Sequence, residues 1–290
     1  MVVQASTSGI ERVLPEIYKA IETFSHEMGL ITIIEAPSSK SRTLEGLKVS
    51  EKTIVKGSAT GLESCVIRLH HDLTLKCDLL HGQKTGFFLD QQGNAGLLRG
   101  LVHSQFAKLE RPVRVLDICC YVGQWAAHVT HALQQVDVEV SVTLFDTSAT
   151  ALEFASQNLR ALEAEVETIQ GDAMTGVANL PEGQFDVVIC DPPAFVKKRA
   201  DHAVGIKAYA KLNRDAMRTL SPGGLLVASS CSGLVNALDW QDILVAAGQK
   251  AGRMFKQLAK GGHAPDHFVR PEFPEGEYLK CVIGRIDYPY

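Results

Sequence analysis

The sequence lacks the features that mark membrane, secreted and zinc-binding proteins. No apolar run approaches the roughly 18 residues that a membrane span requires, and the N-terminal stretch lacks the basic and apolar regions of a signal peptide. The seven cysteines form no CxxC pair, so neither a zinc site nor a disulfide framework is indicated. We therefore expect a reduced, cytoplasmic protein without a metal and without membrane contact.

Internal repeats and low-complexity tracts are also absent. The chain has 290 residues, 46% hydrophobic and 21% charged, which suits one large globular domain or two modest ones. A formal net charge of −4 argues against wholesale coating of nucleic acid but allows a local basic patch. The stretch 197–218, with seven Lys or Arg against two Asp, is a candidate patch, although a solvated helix face is an equal interpretation.

Glycine-rich helix-to-strand connections are few, yet strand-like and helix-like segments alternate clearly from about residue 106 onward. The helices between them show apolar residues at helical spacing, and SPGG at 221–224 reads as a helix stop followed by a turn. Continuously apolar strands alternating with helices predict a parallel, doubly wound α/β sheet covered on both faces. The predicted strands are 113–120, 138–146, 166–172, 185–191, 223–230 and 278–286.

The N-terminal part, residues 1–105, has a different pattern. A predicted amphipathic helix at 11–28 precedes short strands, the first of them at 31–36, and then a turn-rich segment with an aromatic pair at 87–88. We predict a small α+β domain over 1–105 and a second domain, with the alternating pattern, over 106–290.

Polar residues stand at or near the ends of five of the six predicted strands of the second domain. Ligands of a doubly wound sheet bind beyond the carboxyl ends of its strands, so these residues are candidates for one site. They are Asp117, Asp146, Asp172, Asp191 and Cys231.

A glycine-rich phosphate loop is missing after the first strand of the sheet. This loop has only Gly123, with Tyr121 where a small residue would be needed, so a pyrophosphate ligand is disfavoured. S-adenosylmethionine, a nucleoside ligand without phosphates, would tolerate the bulkier loop. Asp146 is placed to accept from ribose hydroxyls and Asp172 from an adenine amino group; singly, each is equally well explained as a helix N-cap or a loop carboxylate.

Two further motifs leave their alternatives open. In DPPAF (191–195) the prolines end the strand, and Phe195 either stacks on a flat base or packs in the core. Cys231 either packs as a small hydrophobe or serves as a nucleophile, and Cys190 is interpreted as core filler.

Five segments together resemble the bacterial 23S ribosomal RNA cytosine-5 methyltransferases, which are class I S-adenosylmethionine-dependent enzymes with a Rossmann-like sheet. They are GQKTGFFLDQ (82–91), VLDICCYVG (115–123), DPPAF (191–195), SPGGLLVASSCSG (221–233) and DHFVRPEFPEGEYLK (266–280). The similarity runs from about residue 30 to the C-terminus. The sequence departs from the family in two ways. Family members usually begin with an RNA-binding PUA domain, for which this chain has no residues left. In the loop after the first strand, Ile118 and Cys119 differ from the residue types usual in the family.

The resemblance implies roles for matching residues. The catalytic pair would be Cys231 and Asp191. The implied cofactor residues are Lys84, Thr85, Phe87, Asp90, Asp117, Tyr121, Gly123, Asp146, Thr147, Asp172, Asp191 and Pro192. The implied substrate residues are Pro193, Phe195, Lys197, Lys198 and Arg199.

The implied reaction explains a cysteine at residue 231. Thiolate addition at carbon 6 of cytosine activates carbon 5 for methyl transfer, and a helix beginning directly after Cys231 would stabilise that thiolate. The expected partner is RNA, in particular ribosomal RNA, which the domain over 1–105 would contact. The sequence does not fix the oligomeric state, and a homodimer is one alternative. Two alternatives stay open: an N-methyltransferase acting on guanine or another amine, and a cofactor-binding module without catalysis.

Overall fold

The computed structural model describes residues 1–29, 32–37 and 41–288, with only the backbone given at 26 and 28. The chain divides into two compact units, Met1–Phe88 and Leu89–Tyr290. The predicted strand at 31–36 begins at a position outside the described residues. In the part of the chain described, no helix is both long enough and apolar enough to cross a membrane.

The first unit is a small α+β structure. The helix α1 begins after Thr7, whose hydroxyl accepts from the Ile10 amide, and ends at Gly29 in the left-handed conformation. The strand β2 pairs in parallel with β1 and antiparallel with β3, while β4 and β5 form a separate antiparallel pair. The elements are β1 (Val2–Val3), α1 (Ser8–Met28), β2 (Ile33–Glu35), α2 (Ser41–Leu44), β3 (Thr53–Lys56), β4 (Cys65–Arg68) and β5 (Thr74–Cys77).

The second unit contains the alternating strands and helices. It starts earlier than residue 106, because the helix α3 packs against α4 and therefore belongs to this unit. Its elements are α3 (Gln92–Phe106), β6 (Val113–Ile118), α4 (Gln124–Gln134), β7 (Val140–Asp146), α5 (Ala149–Arg160), β8 (Glu165–Gln170), α6 (Ala173–Gly176), β9 (Phe185–Cys190), α7 (His202–Thr219), β10 (Leu220–Ser230), α8 (Ala237–Ala251), β11 (Met254–Gly261) and β12 (Lys280–Asp287).

These strands form one seven-stranded sheet within residues 89–288, in the order β11-β12-β10-β9-β6-β7-β8. The five strands β8, β7, β6, β9 and β10 are parallel, which confirms the predicted doubly wound sheet. The prediction of an all-parallel sheet is wrong at one edge, because β12 runs antiparallel to both β10 and β11. The chain reverses direction across the sheet between β6 and β9, so a crevice for a ligand forms beyond their carboxyl ends.

The core explains why the strands are so apolar. Leu116, Val188 and Leu226 on adjacent strands are fully buried, and α7 and α8 cover them with Tyr209 and Trp240, whose rings meet edge to face at 5.2 Å. The predicted buried face of α7 is confirmed at Tyr209 and its neighbours, whereas β11 escaped prediction because most of its side chains are exposed.

The segment 221–224 differs from its prediction as a turn before a strand. The strand β10 begins at Leu220, and its pairing with β9 shifts register between Leu220 and Leu225. Gly223 lies inside this irregularity with φ +80°, where glycine carries no steric penalty. The turn chemistry is therefore present, but as a bulge within the strand.

Candidate active site

The predicted polar residues are brought to one edge of the sheet. Asp117 is the last residue but one of β6, Asp146 ends β7, and Asp172 follows β8 after one glycine. Asp191 and Cys231 come directly after β9 and β10. Because these strands are parallel and adjacent, their carboxyl ends lie side by side, as a shared site requires.

The loop after β6 has an unusual backbone. Cys119, Tyr121 and Gly123 all take left-handed φ angles, of +61°, +50° and +78°. For the two non-glycine residues this conformation costs on the order of 1 kcal/mol each, and such strain clusters at functional sites. A Cβ at Gly123 would lie only 2.7 Å from a methyl carbon of Leu159, so glycine is also needed for packing against α5.

The amide groups of this loop face the neighbouring strand. The Cys119 amide donates to the Phe145 carbonyl at 2.7 Å, and the Tyr121 amide donates to Asp146 Oδ2 at 3.0 Å. A phosphate loop would instead point its amides at the ligand. The predicted unsuitability for pyrophosphate thus has a structural basis.

Asp146 is buried and organises the end of β7. Its second oxygen, Oδ1, accepts from the Ser148 amide at 2.9 Å. Ser148 is the N-cap of α5, and its hydroxyl accepts from the Ala151 amide at 3.2 Å. Each carboxylate oxygen keeps a second lone pair for a ligand hydroxyl.

The strand ends gather negative charge around Asp117. Its Oδ2 accepts from the Ala126 amide at 3.1 Å, while Oδ1 is buried without a hydrogen-bond partner among the described residues. Burial, with the nearby charges of Asp191 and Asp146, raises the pKa of Asp117 to about 8. Such a cluster fits a cationic ligand and opposes a pyrophosphate.

Asp172 is exposed and caps the short helix α6, with Oδ1 accepting from the Met174 amide at 2.9 Å. The N-cap alternative weighed from the sequence is therefore present. A role toward an adenine amino group stays a prediction.

Asp191 is held by two donors that the sequence analysis missed. Gln91 Nε2 and Trp125 Nε1 donate to Asp191 Oδ2 at 2.9 and 3.0 Å. Asn94 donates to Gln91 Oε1 at 2.7 Å and to the Gly262 carbonyl at 2.8 Å, which fixes the amide orientation of Gln91. Trp125 carried one signal in the sequence, its position just after the first loop, and Gln91 carried another, as the last residue of the segment 82–91 that supports the resemblance.

Ser232 joins the turns that follow β9 and β10. Its hydroxyl accepts from the Val196 amide at 3.1 Å and lies 2.8 Å from the Tyr209 hydroxyl, which itself accepts from the Phe195 amide at 3.2 Å. The Phe195 ring packs on Tyr209 with centroids 4.6 Å apart, so this ring is partly a core residue. Pro192 is buried and Pro193 is exposed.

The seven cysteines are all free thiols, and their surroundings differ. Burial raises the pKa of Cys77, Cys119 and Cys281 to about 12, and that of Cys120 and Cys190 well above the ordinary value. Such thiols are poor nucleophiles. Cys231 is half-buried and directly follows β10, at the carboxyl end of the sheet.

The helix expected to start directly after Cys231 begins only at Ala237. Asn236 caps it, and its Oδ1 already accepts from the amides of Leu238 and Asp239 at 2.8 and 2.9 Å. The predicted stabilisation of a Cys231 thiolate by this helix N-terminus is therefore not supported by the position of the helix.

The basic stretch 197–218 is partly neutralised. Lys211 and Arg214 contact Asp215, and Arg218 contacts Glu182. The remaining predicted substrate residues are exposed at its start: Lys197, Lys198 and Arg199.

The cofactor residues that the resemblance implies between positions 84 and 90 belong to different units. Lys84, Thr85 and Phe87 belong to the first unit, where the Lys84 ammonium lies 4.8 Å from the Phe88 ring centre. Asp90 belongs to the second; it is buried and accepts from the Tyr278 hydroxyl at 2.7 Å. Among the described residues, no group of three or more His, Cys, Asp or Glu side chains could hold a metal ion.

A cavity of about 690 Å³ lies beside α8, β11 and the start of β12. Trp240, Phe255 and Lys280 contribute to its wall. The strand-end carboxylates do not line it.

Comparison with known proteins agrees with this geometry. The sequence pattern of the Methyltransferase small domain family matches residues 92–239. A Ribosomal RNA large subunit methyltransferase I from Aeromonas hydrophila is 31% identical over 98% of this chain and 68% of its own length. The chain belongs to the ribosomal RNA large subunit methyltransferase family.

A second relative, the Ribosomal RNA large subunit methyltransferase of Deinococcus radiodurans, is 30% identical over 94% of this chain and 64% of its own length. The chain thus spans about two thirds of these relatives. A solved structure from Streptococcus mutans, assigned as a S-adenosylmethionine-dependent methyltransferase, superimposes with a TM-score of 0.73 at 18% identity, over 98% of this chain and 68% of that one. A structure of equal TM-score and coverage was solved in complex with SAH.

The family and the fold identify S-adenosylmethionine as the cofactor. The site fits it in charge, because the cofactor carries a sulfonium and an ammonium group and the charges of Asp146 and Asp191 act on Asp117, whose Oδ1 has no hydrogen-bond partner among the described residues.

Proposed function

We propose that the protein methylates carbon 5 of a cytosine in ribosomal RNA through a covalent adduct of Cys231. S-adenosylmethionine would supply the methyl group. Carbon 5 is a weak nucleophile, and addition of the Cys231 thiolate to carbon 6 makes the ring an enamine that is reactive at carbon 5. Loss of the carbon 5 proton and expulsion of the thiolate restore the aromatic ring.

One observation carries this proposal: Cys231 and Asp191 follow adjacent parallel strands, and the turns that begin with them are hydrogen-bonded to each other. Cys190 pairs with Ala228, so β9 and β10 end at nearly the same level. The hydroxyl of Ser232 then bonds to the turn after Asp191. A nucleophile and an acidic group are thereby held at the edge where the cofactor binds. We assign Asp191 as the acid at ring nitrogen 3: its protonated carboxyl group donates a proton there as negative charge develops on addition and takes the proton back when the thiolate is expelled.

The names of the relatives support RNA as the substrate class. A base must leave its stack to reach a site beyond the strand ends, which favours single-stranded or looped RNA. The exposed basic segment 197–199 is suited to the phosphate backbone.

The direct test is methyl transfer from labelled S-adenosylmethionine to unmodified 23S ribosomal RNA, followed by nucleoside analysis. Labelled 5-methylcytidine supports the proposal. A labelled N-methylguanosine would replace it with the N-methyltransferase alternative, for which the DPP motif is suited. Cofactor binding without transfer to RNA would favour a binding role.

Changing Asp146 to alanine is expected to weaken cofactor binding about 10- to 100-fold. The loss combines the ribose acceptor with two amide bonds, and hydrogen bonds to charged groups contribute roughly 1.5–3 kcal/mol. Titration calorimetry with S-adenosylmethionine measures it. Glu139→Ala, an exposed acid just before β7, is the matched control. Equal affinity of Asp146→Ala and this control would remove Asp146 from the cofactor site.

Changing Lys197, Lys198 and Arg199 together to alanine is expected to weaken RNA binding and to lower the slope of log K against log salt by about 2 to 3. The matched control changes three exposed basic residues elsewhere, Lys108, Arg160 and Lys250, so that net charge is equal. Filter binding between about 50 and 200 mM salt measures both slopes. An unchanged slope in the first variant would refute the phosphate role of this segment.

A further inference from the structure

Lys280 is a buried cation next to the proposed nucleophile. It is the first residue of β12 and pairs directly with Ser230, the last residue of β10. Only 9% of it is exposed. A lysine is seldom buried to this extent unless its charge has a partner.

The ammonium group of Lys280 is directed to the chain around Cys231. Its Nζ donates to the carbonyl of Ser232, the residue after Cys231, and to the carbonyl of Tyr278 at 2.8 Å. Lys280 thus pairs with the residue before Cys231 and hydrogen-bonds to the residue after it. No sequence motif indicated this contact, because it joins β12 to a turn 48 positions earlier in the chain.

Among the charged groups near Lys280, Cys231 has the largest effect on its pKa. Burial lowers the pKa of Lys280 to about 8, and the strongest opposing influence is the negative charge of Cys231, ahead of Glu277 and Asp239. His263 and Tyr278 are the other titratable groups nearby, with rings that meet at 4.5 Å. Neither His263 nor Tyr278 supplies a fixed positive charge.

We propose that Lys280 is the positioning residue that stabilises the thiolate of Cys231 and fixes the turn that carries it. The inference rests on the proposed function, since only a nucleophilic Cys231 requires a thiolate. Lys280 supplies a positive charge to Cys231 in place of the N-terminus of α8, which begins only at Ala237. A thiolate beside an ammonium group forms at a lower pH than an isolated thiol.

The test is the rate of iodoacetamide alkylation of Cys231 as a function of pH, followed on the Cys231 peptide by mass spectrometry. Lys280→Met is expected to slow alkylation about 10-fold near pH 7. Loss of a close positive charge raises the pKa of a thiol by roughly 1 unit or more, so less thiolate is present at that pH. Lys280→Arg should retain most of the wild-type rate. Lys260→Met is the matched control, since Lys260 is exposed and lines the same cavity. A wild-type alkylation profile in Lys280→Met would overturn the inference.

A reciprocal measurement avoids any dependence on the folding of Lys280→Met. Linkage requires that the thiolate and the ammonium group stabilise each other equally. Cys231→Ser is therefore expected to lower the pH midpoint of Lys280 acylation by trace acetic anhydride. An unchanged midpoint would overturn the inference as well. Methionine has the length of the aliphatic part of lysine, and Lys280 itself lines the adjoining cavity, which leaves room for water in place of the lost ammonium group, so we expect Lys280→Met to fold.

Neither measurement needs RNA, so the two proposals fail separately. If wild-type protein forms no 5-methylcytidine while the alkylation shift is present, the proposed function fails alone. If wild-type protein forms 5-methylcytidine through Cys231 and the shift is missing, only the role of Lys280 fails.

Discussion

Cys231→Ala is expected to lower 5-methylcytidine formation by at least about a thousandfold while leaving cofactor affinity unchanged. Removing a covalent nucleophile leaves carbon 5 of cytosine without activation, and losses of up to about a millionfold are known when nucleophiles are removed. Cys231 lies after β10, outside the strand-end carboxylate cluster, so the cofactor site stays intact. Single-turnover transfer to 23S ribosomal RNA, together with calorimetry, measures both quantities.

The matched control for this variant is Cys65→Ala. Cys65 is also half-buried but lies on β4 in the first unit. It should transfer methyl groups at the wild-type rate. Undiminished transfer by Cys231→Ala would return Cys231 to a packing role and favour the N-methyltransferase alternative. When the target cytosine is replaced by 5-fluorocytosine, wild-type protein should form a covalent RNA adduct that is visible on denaturing gels. Cys231→Ala should form none.

Most of the sheet was predictable because its central strands consist mostly of apolar residues. Runs such as 113–118 and 185–190 are almost entirely buried, and most of their residues are apolar. The edge was harder, since β11 exposes most of its side chains and loses the signal that burial imposes. The antiparallel direction of β12 left no mark on the sequence, because the hydrophobic pattern of a strand does not encode the direction of its neighbour.

The site was predictable as far as it follows from local sequence. Asp117, Asp146 and Asp191 each end a strand, and the order of strands places them at one edge. Their partners could not be found in the same way. Gln91 contacts Asp191, which lies 100 residues away in the chain, and Lys280 contacts Ser232, which lies 48 residues away. Only the folded topology brings such distant residues together.

A second carboxylate of β9 has a different task. Asp186 lies at the opposite end of that strand from Asp191 and is almost fully buried. Both of its oxygens accept from the Arg111 guanidinium, at 2.6 and 2.8 Å, and Oδ2 also accepts from the Arg114 amide at 2.9 Å. Burial alone would raise the pKa of Asp186, but the bonds from Arg111 and Arg114 outweigh it and lower the pKa to about 2.

Asp186→Asn is therefore expected to lower the free energy of unfolding of the second unit by about 2 kcal/mol at pH 7, since the asparagine amide lacks the charge and one of the two acceptor oxygens that bind the half-exposed Arg111 and Arg114. The folded-state pKa lies below the ordinary value, so the contribution of Asp186 is complete above about pH 4 and is lost as the pH falls toward 2. The difference between wild type and variant should shrink over that window. Urea unfolding followed by tryptophan fluorescence is suited to this, because both tryptophans, Trp125 and Trp240, lie in the second unit.

The exposed Asp242→Asn on α8 is the control and should change stability by less than about 0.5 kcal/mol at either pH. A stability difference for Asp186→Asn that persists unchanged at pH 2 would show that the arginines do not depend on an ionised Asp186. Cofactor affinity should equal that of wild type under conditions where the variant is folded, because Asp186 is separated from the catalytic edge by the length of β9. The same strand thus carries one acid for stability at its start and one for chemistry after its end.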